Sequence, residues 1–301
     1  MWQEMLIIVK YFPKLCYIYT SCHSIVMDIA MKKKSHTYPD YENPPVIEVV
    51  CGVLFKSIDT LLAPHFGTLW QGYKKDYPLC QEQPPLAPII EKYDAAPQKQ
   101  FHITEVPPLP RIWFVSSDDR GVVQIQRDRF LHNWKKANSG DEYPRYGTVI
   151  SLFKNRLSIF EKFLSANNIG QIEPIQYEMT YVNHIIKGEG WDNMGEIGKL
   201  FPDFCLRTDP SRFLPGPDVI NWKTTYVLPN RKGRMHVTLR NGVLSNINKS
   251  VIVMELTVRG IGEDKSREAM WPWFDTAREW IVKGFSDLTS KEAQEKIWKR
   301  K

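Results

Sequence analysis

The chain has 301 residues, 43% hydrophobic and 25% charged, with 10 tryptophans, and a formal net charge of +6. That is ample length and apolar content for a packed core, and it excludes a disordered or fibrous chain. The positive balance is mild and scattered, with one cluster at Lys32, Lys33 and Lys34. It gives an anionic partner only weak support.

The five cysteines (Cys16, Cys22, Cys51, Cys80 and Cys205) are odd in number, widely spaced and lack a CxxC pair. A reduced, cytoplasmic setting fits better than a disulfide scaffold. In the opening residues, Glu4, Lys10, Pro13 and Lys14 interrupt the apolar run. Neither a signal peptide nor a stable membrane insertion is expected. Residues 1–30 read as an extension ahead of a natural start at Met31, with Met27 a second candidate. An amphipathic membrane-touching segment and a genuine extra element are the alternatives.

From residue 43 the elements follow in order. "VIEVVCGVLF" is β-rich and predicts a strand buried on both faces, with Gly52 at a bulge or close contact. Leu62, Phe66, Leu69 and Tyr73 predict a helix starting near Asp59, with Pro64 in its first turn. The proline-rich passage that follows predicts an extended crossing segment with one short edge strand, laid over apolar surface. "RIWFVSSDDRGVVQIQRDRF" predicts a hairpin turning at Asp119–Gly121. In its second strand Val123, Ile125 and Arg127 share one face, and Gln124, Gln126 and Asp128 the other, which reads as solvent or a wet cleft. Phe130, Leu131 and Trp134 then suit one helical turn.

Val149, Phe153, Leu157, Phe160 and Leu164 form the clearest helical stripe, ending at Asn167–Asn168. "EPIQYEMTYVNHII" alternates as a long strand. Residues 187–217 hold five glycines and four prolines, and read as a mobile connector. A second hairpin turns at "NRKG", another strand follows at "SVIVMELTVRG", and a helix carries Phe274, Ala277, Ile281, Phe285 and Leu288. Thr289 and Glu292 suggest a capping box on a last helix. The fold class is therefore α+β: two antiparallel sheet subdomains with packed helices, at 43–186 and 218–301, whose patterns partly repeat.

No dinucleotide fingerprint, P-loop, zincin or nucleophile-elbow motif is present. His132, His184 and His236 lack metal-ligand spacing, so neither a metal nor a cofactor is expected. Three stretches concentrate recognition chemistry. "QIQRDRFLHNWKK" offers Arg127, Arg129, His132, Asn133 and Trp134: guanidinium forks, an amide and a stacking face. "EYPRYG" adds Arg145 and Tyr146, and "YEMTYVNHI" adds Glu178, Tyr181, Asn183 and His184. Such residues serve as an interface hot spot, an anion or base site, or internal hydrogen-bonded structure.

"NPPVIEVVCGVLF", "QIQRDRFLHNW", "YPRY", "YEMTYVNHI" and "AREWIVKGFSDLT" together resemble a sporadically distributed family of bacterial proteins with NPPVxEVVxG-like and RFxxNW-like motifs. The resemblance spans about residues 43–298. It implies a bacterial cytoplasmic protein of patchy distribution, which is compatible with an accessory or defence role, and it carries over no catalytic residues. Three functions stay open. The first is a non-enzymatic partner-binding or regulatory protein, with a protein partner or a homo-oligomer. The second binds RNA or single-stranded DNA and extends to a nuclease. The third is an enzyme or sensor for a small anionic metabolite, with Arg129, Glu178 and His184 converging.

Overall fold

The structure is a computed structural model that describes residues 38–93, 109–204, 211–245 and 247–301. The expectations for residues 1–30 and for Cys16, Cys22 and Cys205 lie outside the described residues. Residues Pro39–Lys301 form one compact unit.

The fold is α+β. Strand β1 (Val46–Phe55) leads to helix α1 (Ala63–Gln71), an edge strand β2 (Leu79–Gln83), and the meander β3 (Arg111–Val115), β4 (Gly121–Gln126) and β5 (Arg129–Lys135). The long helix α2 (Arg145–Ala166) follows. Strand β6 (Pro174–Ile186) then leads through a 3₁₀ turn to the short helix α3 (Ile197–Leu200) and the meander β7 (Asn221–Val227), β8 (Arg234–Leu244) and β9 (Lys249–Gly260). Helices α4 (Arg267–Leu288) and α5 (Lys291–Lys296) complete the chain.

All nine strands join one antiparallel sheet in the order β2-β3-β4-β5-β1-β6-β9-β8-β7. This corrects the expectation of two sheets: β1 and β6 pair along a central seam. The partial repeat survives as topology. Apart from the extra edge strand β2 in the first half, each half runs strand, short helix, three-strand meander folding back onto the first strand, then a 22-residue helix. The antiparallel seam relates the halves by an approximate two-fold axis through the sheet.

Side-chain parity divides the sheet cleanly. Val49, Cys51, Val53 and Phe55 on β1, Phe130 on β5, Tyr177 and Met179 on β6, and Met254, Leu256 and Val258 on β9 are buried on one side. The stripes of α2 (Val149, Phe153, Leu157, Phe160, Leu164) and α4 (Phe274, Ala277, Ile281, Phe285, Leu288) are buried with them. Phe130 stacks on Phe160 at 5.6 Å and Phe153 meets Phe274 edge-on at 5.1 Å, so both helices share one core. Each such side chain contributes about 1.5–3 kcal/mol of burial.

Four local expectations change. Residues 129–135 form a strand, not a helical turn, because both faces of β5 are covered and Phe130–Trp134 pair with β1 and β4. The first helix starts at Ala63, four residues after Asp59, with Pro64 in its first turn as expected. The "GEGWDNMGEIG" connector is packed: Trp191, Met194, Ile197 and Leu200 are all buried, and the Trp191 indole donates to the Ile185 carbonyl at 3.2 Å. Finally, Ser290, not Thr289, caps α5 by accepting from the Ala293 amide. Gly52 does mark a close contact, because the Leu131 side chain lies where a Cβ would stand.

Candidate binding face of the sheet

Among the described residues, the second face of the sheet carries no helix. Its residues are polar and fall into rows that the strand register lines up. One row reads Lys135, Glu48, Val182, Glu255, Thr238, Lys223 across β5, β1, β6, β9, β8 and β7. The next reads Asn133, Val50, Thr180, Thr257, His236, Thr225.

Many of these groups are buried and satisfy one another. A relay crosses four strands. Arg111 and the Trp113 indole donate to the Gln124 carbonyl oxygen at 2.8 and 3.0 Å, the Gln124 amide donates to Asn133 at 2.7 Å, and the Asn133 amide donates to Glu48 at 2.6 Å. Gln124 and Asn133 are only 4% and 5% exposed, so these bonds replace lost hydration. Burial raises the Glu48 carboxyl above the usual range, and Glu255 adds to this, while the Asn133 bond and Lys135 oppose it. Between β6 and β9, Arg259 pairs with Glu178, and Thr180 bonds Thr257 at 2.9 Å.

The described chain crosses this face once. The segment from Pro84 to Tyr93 runs from the end of β2 over the sheet to β8, as a strap. Two buried glutamines read its main chain. Gln126 accepts from the Leu86 amide at 2.9 Å and donates to the Leu86 carbonyl at 3.2 Å. Gln176 accepts from the Glu91 amide at 2.8 Å and donates to the Ile89 carbonyl at 2.7 Å. The Glu91 carboxylate is clamped by His236 at 2.6 Å and Arg234 at 3.1 Å. Burial works to raise this carboxyl, but His236 and Arg234 outweigh it and hold it below the usual range. Tyr93 closes the crossing under the Arg234 guanidinium, 4.4 Å from its ring. The extended crossing and edge strand are as expected. The surface beneath is polar, not apolar, because the three prolines leave few amides and the sheet supplies side-chain amides to those that remain.

The sequence candidates divide between the two faces. Arg129, Asn133, Glu178 and His184 share the polar face, but they do not converge. Six strand residues separate Glu178 from His184, about 20 Å. Arg129 is buried and paired with Asp128 at 3.1 Å. His184 is half-buried, and burial, with Arg240 nearby, lowers its pKa. The acid–amide–imidazole grouping does not form, since Asn183 faces the helices and donates to the Met254 carbonyl at 3.2 Å.

The remaining candidates all make contacts within the fold. His132 is buried against the Tyr77 hydroxyl at 2.9 Å. Trp134 packs on Tyr143, whose hydroxyl bonds Tyr181 at 2.8 Å. Arg127 donates to the Leu61 carbonyl at 3.0 Å, and Arg145 to Asp40 at 2.8 Å. Tyr146 donates to Asp275 at 2.7 Å, with Arg278 over its ring. Cys51 is fully buried and its thiol is pushed far up by burial. Among the described residues no group of three or more histidine, cysteine or carboxylate ligands could hold a metal ion. No helix among them is long and apolar enough to cross a membrane. A separate cleft of about 620 Å³, between the end of α2 and the start of α4, includes Glu161, Asn168, Gln171 and Arg267 but none of the sequence candidates.

Sequence reasoning found the Gln124/Gln126 face by alternation. It missed Gln176, Glu91, Arg234 and Glu255 as parts of the same surface. Their signal is register between strands far apart in the chain, which no local pattern carries. No family model matches the chain, and no curated protein or solved structure matches it either.

Proposed function

We propose that this is a non-catalytic, partner-binding protein whose recognition surface is the polar face of the sheet. One observation carries the reading. Helices cover one face of the nine-stranded sheet, while the other presents a cross-strand row of partly exposed charges: Lys135, Glu48, Glu255 and, at the edge, exposed Lys223. Charges fixed on a rigid sheet select a partner by electrostatic complementarity more than by area. The buried relay behind them supplies the rigidity. A cytoplasmic accessory or defence role, with which the sequence resemblance is compatible, suits a binding protein of this kind.

This reading is favoured over single-strand nucleic-acid binding because Trp113 is the sole described aromatic from a sheet strand on that face, and its indole is engaged with Gln124. Base stacking needs open rings. It is favoured over a metabolite enzyme because Arg129, Glu178 and His184 stand apart.

A photo-crosslinking side chain at Thr238, on the polar face, and another at Lys162, on the exposed side of α2, would test it in native extract. The expected result is a discrete adduct from position 238 and none from position 162. Equal labelling from both positions, or no adduct at 238, overturns the assignment.

A further inference from the structure

We infer that the polar face is built to hold an extended, proline-containing peptide with an acidic side chain, and that the strap occupies this site as an internal ligand. The inference rests on the proposed function and specifies the partner's chemistry.

The manner of contact carries it. Gln126 and Gln176 each use both ends of a side-chain amide on the strap's main chain, as a neighbouring strand would. Both are at least nine-tenths buried, at 8% and 1% exposure. The Gln176 amide bonds the strap alone and would be left unpaired if that segment departed, unless another chain replaced it, while Gln126 would keep only its 3.3 Å bond to Asp128. The sheet therefore favours an occupant of this backbone geometry.

The strap's own side chains contribute little. Leu86, Ile89 and Ile90 are 38%, 59% and 37% exposed, well short of the burial of a core side chain. Two strap side chains are read: Glu91 by Arg234 and His236, and the Tyr93 ring by the Arg234 guanidinium. Recognition is thus largely by main chain, with one acidic anchor five residues beyond the position that bonds Gln126. A separate peptide satisfying those terms would make the same bonds. Pro84, Pro85 and Pro88 favour the extended form and lower the ordering cost of any such ligand. The strap has the advantage of tethering, an effective concentration in the millimolar range for a short linker. A partner gains access when the Glu91 anchor is weakened.

The experiment uses the full chain and a fluorescein-labelled peptide with the sequence of residues 83–93, followed by anisotropy. Glu91→Lys sets a cation against Arg234 and weakens the tethered strap. The expected result is peptide binding at least about tenfold tighter to Glu91→Lys than to the unaltered chain. Adding Gln176→Leu should abolish the gain, and a peptide carrying lysine in place of its glutamate should bind neither. Should Glu91→Lys fail to fold, Glu91→Gln is measured with the same expectation of order. No gain in a folded variant, or a gain indifferent to Gln176→Leu, overturns the inference. A concentration-dependent dimer of Glu91→Lys without peptide uptake also overturns it. If the peptide fails while crosslinks still concentrate at position 238, the binding face stands and only its ligand class falls.

Discussion

His132 shows how one buried side chain ties stability to pH. Burial, with the Arg156 charge a further cause, drops its imidazole from 6.5 to about 3. Above pH 6.5 neither the folded nor the unfolded chain protonates this group, and it costs nothing. Between 6.5 and about 3 the unfolded chain takes up a proton that the folded chain refuses. Stability from this group is therefore present above 6.5 and lost as pH falls, by about 1.4 kcal/mol per pH unit. His132→Gln removes that one-proton slope. Urea unfolding from pH 6.5 to 4 should show unaltered protein losing stability more steeply than the variant, by one proton's worth. Parallel pH profiles would mean that the imidazole is solvated. The sequence marked His132 as chemically interesting, but its one-residue offset from Asn133 turns the two to opposite faces. Asn133 belongs to the polar relay and His132 to the core.

At the level of elements, the start of α5 separates two readings of the same motif. Ser290 accepts from the Ala293 amide, whereas Thr289 closes the end of α4 through the Phe285 carbonyl at 2.6 Å. Ser290→Ala should cost about 1 kcal/mol. Glu292→Ala, at an exposed position paired only with Lys296, should stay within about 0.5 kcal/mol. Denaturation midpoints of the two variants decide between them; a larger loss at Glu292 would restore the reciprocal cap. Both long helices were legible because their apolar stripes contrast with a solvated side. Strand β5 was not, since Phe130, Leu131 and Trp134 satisfy helical spacing and burial of both faces erases the alternation that marks a strand. The connector after β6 was misread for a related reason. Its glycines suggested looseness, while Trp191, Met194, Ile197 and Leu200, spaced three apart or so, are what hold it down.

For the whole unit, the seam between β1 and β6 decides how unfolding proceeds. Strand β1 is held by β5 on one side and β6 on the other, so neither half can leave without stripping a central strand. Aromatic contacts between α2 and α4 cross the same boundary. Tryptophan fluorescence and far-UV circular dichroism should follow one coincident transition in urea. Two separated transitions would mean that the halves are independent domains. Helix stripes and strand alternation made the elements and their repeat readable, but the merger into one sheet depends on long-range pairing that leaves no local trace.

The bridge between Tyr41 and Arg300 has a topological consequence. Around it, the Glu42 and Asn43 amides bond the Lys299 and Trp298 carbonyls, and the Lys301 amide bonds Asp40. Position 39 and position 301 are thus neighbours, and the folded body is a near-closed loop of polypeptide. Its architecture is indifferent to where that loop is cut, so a rearranged gene that splices these two points and opens the exposed turn at Asn138–Gly140 encodes the same layout of strands.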